Sequence, residues 1–408
     1  MPSHFPLSAT RPAAAQPAET SRSPRGRRGL AIIAAASALP LALAGCTDNA
    51  KAEATGGPIQ VVSTDSACTI ASASAPSGNL TFTVKNEGPQ VTEFYLLAED
   101  GLRILGEVEN IGPGLTRNLV VTAEPGAYTT ACKPGMTGEG IRAAFQVTDS
   151  GTKAAVDADF QKLLDAGVQQ YAAYVKDQTE QLLAGTRDFA AAYADGDAGT
   201  ARDLYAATRM HWERIEPVAE SFGDLDPKLD AREADLEPGQ EWTGWHRAEK
   251  DLFPPADYTA LSAEERAALS AQLVADTEDL AQRTREVELS ADNLGNGAKE
   301  LLDEVATGKV TGEEEIWSHT DLWDFQANVD GARIAFESLK PALEQKDPEL
   351  SASLEEKFTA LQTGLKAYAK GDGFVYYNEL NQEQVQELAA LVDSLGEPLS
   401  QLTAAAVL

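Results

Sequence analysis

The sequence predicts a multidomain protein, part β and part α: a small N-terminal β-sandwich followed by an all-α helical bundle. Residues 59–150 carry short β-type runs separated by Gly- and Pro-rich turns. From residue 151 to the C-terminus, long Ala- and Leu-rich amphipathic stretches replace them. A third observation concerns the compartment: the chain opens with a basic and then an apolar segment of the signal-peptide kind.

In that opening segment Arg22, Arg25, Arg27 and Arg28 form the basic part, and residues 30–44 form the apolar run. The run is shorter than the ~18–20 residues a helix needs to span a bilayer, so it reads as a cleaved signal rather than a permanent anchor. Leu43-Ala44-Gly45-Cys46 resembles a bacterial lipobox. In that reading residues 1–45 are removed and Cys46 becomes the lipidated first residue. An ordinary signal peptide with an incidental cysteine is the plainer alternative, and Arg27-Arg28 matches a twin-arginine export signal only weakly.

The whole chain carries 33 basic and 64 acidic residues. Removing residues 1–45 takes away five basic residues and one acidic one, leaving a net charge of −35. Such a surface repels nucleic acid and attracts cations. Acidity also serves plain solubility, so it does not establish a metal site by itself.

Residues 46–58 are small and polar and suit a flexible tether. About seven strands follow, at 59–64, 80–86, 91–97, 103–111, 116–122, 126–132 and 141–147. Gly88-Pro89, Gly112-Pro113-Gly114 and Pro125-Gly126 punctuate them, which is the grammar of a β-sandwich. Helices are expected at 154–194, 200–222, 242–252, 262–286, 297–308, 313–344, 348–370 and 382–402. Asp195-Gly196, Gly223-Asp224 and Gly371-Asp372-Gly373 break them.

The chemistry concentrates between Thr208 and Phe253, which holds two of the four histidines, three of the five tryptophans and many carboxylates. Glu213 and Glu216 stand three apart, as do His246 and Glu249, so each pair shares one face of a helix. Two like charges at that spacing repel, and solvent, Arg209, Arg214 or a bound cation must offset the cost. Asp230 precedes a short helical run and is either an N-cap or a further ligand. His-x-x-Glu parallels, in reverse order, the Glu-x-x-His pairs of di-iron bundles, but a structural histidine oriented by Glu249 gives the same pattern. A fourth acidic run holds Glu313, Glu314 and Glu315, then His319, Asp321 and Asp324. At a helix start those three glutamates also simply suit the helix dipole.

In the β-domain, Cys132 precedes Pro134, Gly135 and Met136, an order similar to the copper loop of cupredoxins. Residues 47–150 contain no histidine, which excludes a His₂Cys blue-copper centre. A soft site of Cys68, Cys132 and Met136, with Glu93 or Glu107, and a Cys68–Cys132 disulfide both stay open.

Four runs together carry a resemblance to a known family: Glu213-Arg-Ile-Glu-Pro-Val-Ala-Glu220, Phe222-Gly-Asp-Leu-Asp226, Gly244-Trp-His-Arg-Ala-Glu249 and Ser318-His-Thr-Asp-Leu-Trp-Asp-Phe-Gln326. With the order of export signal, histidine-poor β-domain and helical domain, the chain resembles the EfeO family, the extracytoplasmic components of EfeUOB iron uptake systems. The resemblance spans nearly all of the mature chain. It implies a cupredoxin-like sandwich and an imelysin-like helical bundle, whose Gly-x-His-x-x-Glu signature Gly244, His246 and Glu249 match.

It further implies capture of iron outside the cytoplasm and transfer to a membrane permease, with a haem peroxidase as third component. The implied metal residues are Glu213, Glu216, Asp230 and a glutamate among Glu313, Glu314 and Glu315, with His246 and Glu249 from the signature. In the cupredoxin-like domain they are Cys68, Glu93, Glu107 and Cys132, with copper as a candidate for a redox step. The lipobox adds a lipid anchor on the outer face of the cytoplasmic membrane. A metal-dependent peptidase using the same helical cleft is the competing class, although neither a nucleophile triad nor His-Glu-x-x-His is present. A cell-surface adhesion module with incidental acidity is a second competitor.

Overall fold

The computed structural model describes residues 57–151, 157–236 and 239–408. The expected signal segment, Cys46 and the tether up to residue 56 lie outside these residues.

Nine strands among the described residues form the N-terminal part: β1 (Ile59–Thr64), β2 (Ala67–Ile70), β3 (Ser74–Pro76), β4 (Gly78–Asn86), β5 (Thr92–Leu97), β6 (Ile104–Ile111), β7 (Thr116–Ala123), β8 (Gly126–Cys132) and β9 (Ile141–Thr148). They make a four-stranded sheet in the order β2-β1-β4-β7 and a five-stranded sheet in the order β3-β9-β8-β5-β6. β1 runs parallel to β4 and β3 to β9; the other pairs are antiparallel. β2 and β3 go beyond the expected strands. They are short and mostly exposed, so they leave no apolar alternation to read.

Along β4, Leu80, Phe82 and Val84 point inward at period two and meet Phe94 and Phe145. The Phe82 ring lies 5.2 Å from Phe94 and 5.5 Å from Phe145. Burial of each such ring contributes about 1.5–3 kcal/mol. A disulfide joins Cys68 of β2 to Cys132 of β8 and so ties the two sheets together. It closes a loop of sequence separation 64, which in the chain-entropy account is worth about 4 kcal/mol.

The helical part comprises α1 (Ala158–Ala194), α2 (Ala198–Glu213), α3 (Leu225–Asp230), α4 (Gly244–Leu252), α5 (Ala263–Arg283), α6 (Ala291–Thr307), α7 (Asp321–Lys346), α8 (Pro348–Lys366), α9 (Gln382–Leu399) and α10 (Leu402–Val407). Local chemistry sets the starts. Asp157, Asp197 and Asp347 accept backbone N–H groups as N-caps, Pro348 follows the last of them, and Ser262 with Glu265 forms a capping box.

Two expected helices differ at the site. The one expected over 200–222 stops at Glu213, then continues as a 3₁₀ stretch over Glu216–Phe222. Pro217 has no N–H to donate to the Glu213 carbonyl four residues back, so the α-helical ladder cannot continue there. Asn328 of α7 donates to that carbonyl instead, at 3.2 Å. The helix expected from residue 313 begins only at Asp321. Gly312 adopts a left-handed conformation, and His319 has φ 58°, so the acidic run between them forms turns.

α6 joins the two parts. Its Asp292 accepts the Thr122 N–H at 2.8 Å, while Asn293 and Asn296 donate to the carbonyls of Leu105 and Val120 at 2.9 and 2.8 Å. These contacts satisfy backbone groups of β6 and β7, the edge strands of the two sheets. Further along α6, Gly297 lies so close to the Pro217 carbonyl that a Cβ there would sit 1.7 Å from its oxygen.

Candidate metal centre

α2 carries Tyr205, Arg209 and Glu213 four residues apart on its inward face, all fully buried. Arg209 pairs with Glu213, Asp230 and, at 2.8 Å from Nε, Glu315. The Asp324 carboxylate lies 3.6 Å from the same nitrogen, and neither of its oxygens has a hydrogen bond. A second buried cation, Lys309, sits on the 3₁₀ turn after α6. Its Nζ donates to Glu213 Oε2 at 2.8 Å and to both Glu216 oxygens at 2.9 and 3.0 Å. Asn328 donates to Glu213 Oε2 at 2.9 Å and Glu216 Oε2 at 2.5 Å. Glu213 and Glu216 thus converge although no single helix carries both.

Around this core stands a histidine cluster. His246 of α4 is fully buried, with Nε2 3.5 Å from Asp230 Oδ1 and 3.4 Å from Glu314 Oε1. Its Nδ1 faces Glu249 Oε2 at 3.4 Å and Glu315 Oε1 at 3.8 Å. One ligand atom each from Asp230, His246 and Glu314 lies within 4.8 Å of the others, and the same holds for His246, Glu249 and Glu315. The His246 Nε2 atom has no hydrogen-bond partner. The carboxylates are firmly placed. Trp212 Nε1 donates to Asp230 at 2.9 Å, the Tyr205 and Ser318 hydroxyls donate to Glu315 at 3.0 and 2.6 Å, and the Trp317 and Ser318 N–H groups donate to Glu249 at 3.0 and 2.7 Å.

The electrostatics follow from dense charge in a dry interior. Burial and Arg209 oppose a charge on His246, but Glu249, Glu314 and Asp230 prevail and lift it to about 9. Burial also works against the charge on Asp230, yet Arg209 and then His246 hold its carboxyl below the usual range. Glu314 stays well below that range, because Lys309, His246 and Arg232 outweigh its burial. For Glu216, burial and the neighbouring Glu213 win over Lys309 and push the carboxyl well up. Burial, then Glu249, does the same to Glu315. Carboxylates around an imidazole form a donor set for iron, manganese or zinc. The cluster is reached from a cavity of about 1080 Å³ whose walls include Glu216, Asp230 and Glu314, and from a smaller one of about 340 Å³ that His246 and Glu314 share with Trp317.

The imelysin family model matches residues 167–402, and a cupredoxin-like domain model matches residues 33–143. Over 347 residues the chain is 36% identical to the iron uptake system component EfeO of Escherichia coli (strain K12), covering 84% of this chain and 90% of that protein. The same identity and coverage hold for the EfeO proteins of Shigella flexneri and Escherichia coli O157:H7. The chain belongs to the EfeO family.

In this EfeO-family chain the other expected site residues are placed as follows. Glu313 is exposed and stays out of the cluster that Glu314 and Glu315 enter. Asp230 closes α3 rather than preceding a helix. Of the three described histidines, His246 alone enters. His211 Nδ1 pairs with Gln178 Oε1 at 2.8 Å, and burial, then Arg214, push it down to about 4. His319 serves through its carbonyl, which accepts the Tyr377 N–H at 2.9 Å.

The four β-domain residues do not form one site. Cys132 pairs in register with Phe94 and faces the sandwich core, and its sulfur is bonded to Cys68. Strand alternation puts Glu93 on the opposite face with Tyr95, whose register partner is Glu107. There the Tyr95 hydroxyl donates to Glu93, and Lys133 Nζ lies 3.7 Å away. With no histidine between residues 47 and 150, a copper ion at these sulfurs requires the disulfide to be reduced.

Arg209 was legible beside the acidic pair as an i,i+4 partner of Glu213. Lys309 and the role of Asn328 were not, because the first arrives from a turn 93 residues beyond Glu216 and the second from a helix 112 residues beyond it.

Proposed function

We propose that this EfeO-family chain is an exported lipoprotein of an iron uptake system, anchored through Cys46, that captures iron at the His246 cluster and passes it to a membrane permease. A haem peroxidase of the same system is the further partner. The observation that carries this reading is the group of Asp230, His246 and Glu314, with ligand atoms within 4.8 Å of one another and an unpartnered His246 Nε2. The EfeO proteins it resembles are iron uptake system components.

In this reading His246, Asp230 and Glu314 bind the cargo ion, while Glu249 orients the ring from its other nitrogen. Glu213 and Glu216 stand behind them, held by Lys309 and Arg209, and add negative charge beside the ion. Cations enter down the field of an acidic surface. Release follows from domain motion, carboxylate protonation or a change in iron oxidation state, each of which weakens the same ligand set. Among the described residues no helix is long and apolar enough to cross a membrane.

Anaerobic calorimetric titration of chelator-stripped protein with Fe²⁺ tests the assignment. Asp230→Asn/Glu314→Gln is expected to weaken binding by about 10- to 100-fold or more. Affinity equal to wild type in that variant removes the site.

A further inference from the structure

We infer that a second site for a hard divalent cation lies at the seam between the β-sandwich and the helical bundle, built from Glu107 of β6, Glu220 of the 3₁₀ stretch after α2, and Glu300 of α6. One carboxylate oxygen from each lies within 4.8 Å of the others. Glu107 is only 3% exposed, and its Oε2 has no hydrogen-bond partner. A buried carboxylate oxygen without a partner costs free energy unless something satisfies it.

The contrast with the His246 cluster is informative. There Arg209 and Lys309 supply internal positive charge. At the seam no ion pair reaches Glu107, Glu220 or Glu300 among the described residues. The nearby lysines form their close pairs elsewhere, Lys133 with Glu93 and Lys299 with Asp303, and attract Glu220 and Glu300 only from a greater distance. A cation from solution supplies the missing charge, and it has access: all three glutamates line the 1080 Å³ cavity.

Three carboxylates without imidazole or sulfur form an all-oxygen set suited to Mn²⁺, Ca²⁺ or Fe²⁺ rather than copper. Since Glu107 belongs to the sandwich and the other two to the bundle, the ion fastens one to the other. This site does not depend on iron capture at His246.

Mn²⁺ titration of the full, chelator-stripped chain, read by calorimetry and by electron paramagnetic resonance of free Mn²⁺, tests it. Glu220→Gln/Glu300→Gln is expected to lose one equivalent of Mn²⁺ that Asp230→Asn/Glu314→Gln retains. Glu300→Asp keeps the charge but withdraws the carboxylate by one methylene, and is expected to weaken the same equivalent about tenfold. It covers the case in which the double variant fails to fold. Wild-type stoichiometry and affinity in the folded seam variants overturn the inference. Loss of Mn²⁺ only in Asp230→Asn/Glu314→Gln overturns it too, while leaving the His246 reading intact.

Discussion

Lys309 bridges the Glu213–Glu216 pair. Its ammonium is fully buried and touches both carboxylates. Lys309→Met keeps most of the side chain and removes the charge, leaving the two acidic groups facing each other without the ammonium between them. Breaking a buried pair this way costs about 3–5 kcal/mol, so the variant is expected to melt well below wild type. An unchanged melting temperature contradicts the role. His211 offers a pH test away from the cluster. Burial and Arg214 hold its folded value at about 4, below the ordinary 6.5. The folded state therefore binds fewer protons than the unfolded one between those values. The stabilisation is complete above pH 6.5 and is lost as pH falls toward 4. Thermal melts across that window are expected to show a shallower acid-side decline in His211→Gln than in wild type, and parallel curves contradict it. At this scale the sequence shows residues three or four apart on one helix, which is why His246 with Glu249 and Arg209 with Glu213 could be read, whereas Glu213 and Glu216 meet across the end of α2 rather than on one helical face. It does not show that Glu313 turns outward while its two neighbours turn in, because that depends on the left-handed Gly312 and the turns after it.

Elements bring these residues together through close backbone approaches. α6 and α7 press on the segment after α2: a Cβ on Gly297 would meet the Pro217 carbonyl oxygen at 1.7 Å, and one on Gly331 would meet that of Arg214 at 2.4 Å. Gly297→Ala is expected to push α6 from the 3₁₀ stretch and cost about 1–3 kcal/mol. Because Glu216 adjoins Pro217, iron affinity is expected to fall with stability. Calorimetry alongside thermal melts checks both, and wild-type values for the two contradict the packing account. Strong alternation made β4 visible, and capping residues with Gly breaks made most helices visible. The end of α2 at Glu213 was written in Pro217, whose missing N–H bears on the residue four earlier. β2 and β3 were not legible, since their pairing partners rather than their own side chains make them strands.

On the scale of the whole described molecule, two parts clasp one acidic cavity. The sandwich contributes Glu107 and Glu109, the bundle Glu216, Asp230, Glu300 and Glu314. The change from period two to period 3.6 made the order of β-part and α-part readable. The seam was hidden, because Glu107, Glu220 and Glu300 meet only when α6 docks on the edges of β6 and β7. Strand alternation likewise divides Glu107 from Cys132, which nearness in the chain does not reveal. The central claim is that iron binds where His246, Asp230 and Glu314 converge. Anomalous diffraction at the iron edge from iron-loaded crystals tests it most directly. The predicted result is an iron peak within coordination distance of His246 Nε2 and of the Asp230 and Glu314 carboxylates. An iron peak found only elsewhere, with His246 still surrounded by its carboxylates alone, contradicts the claim.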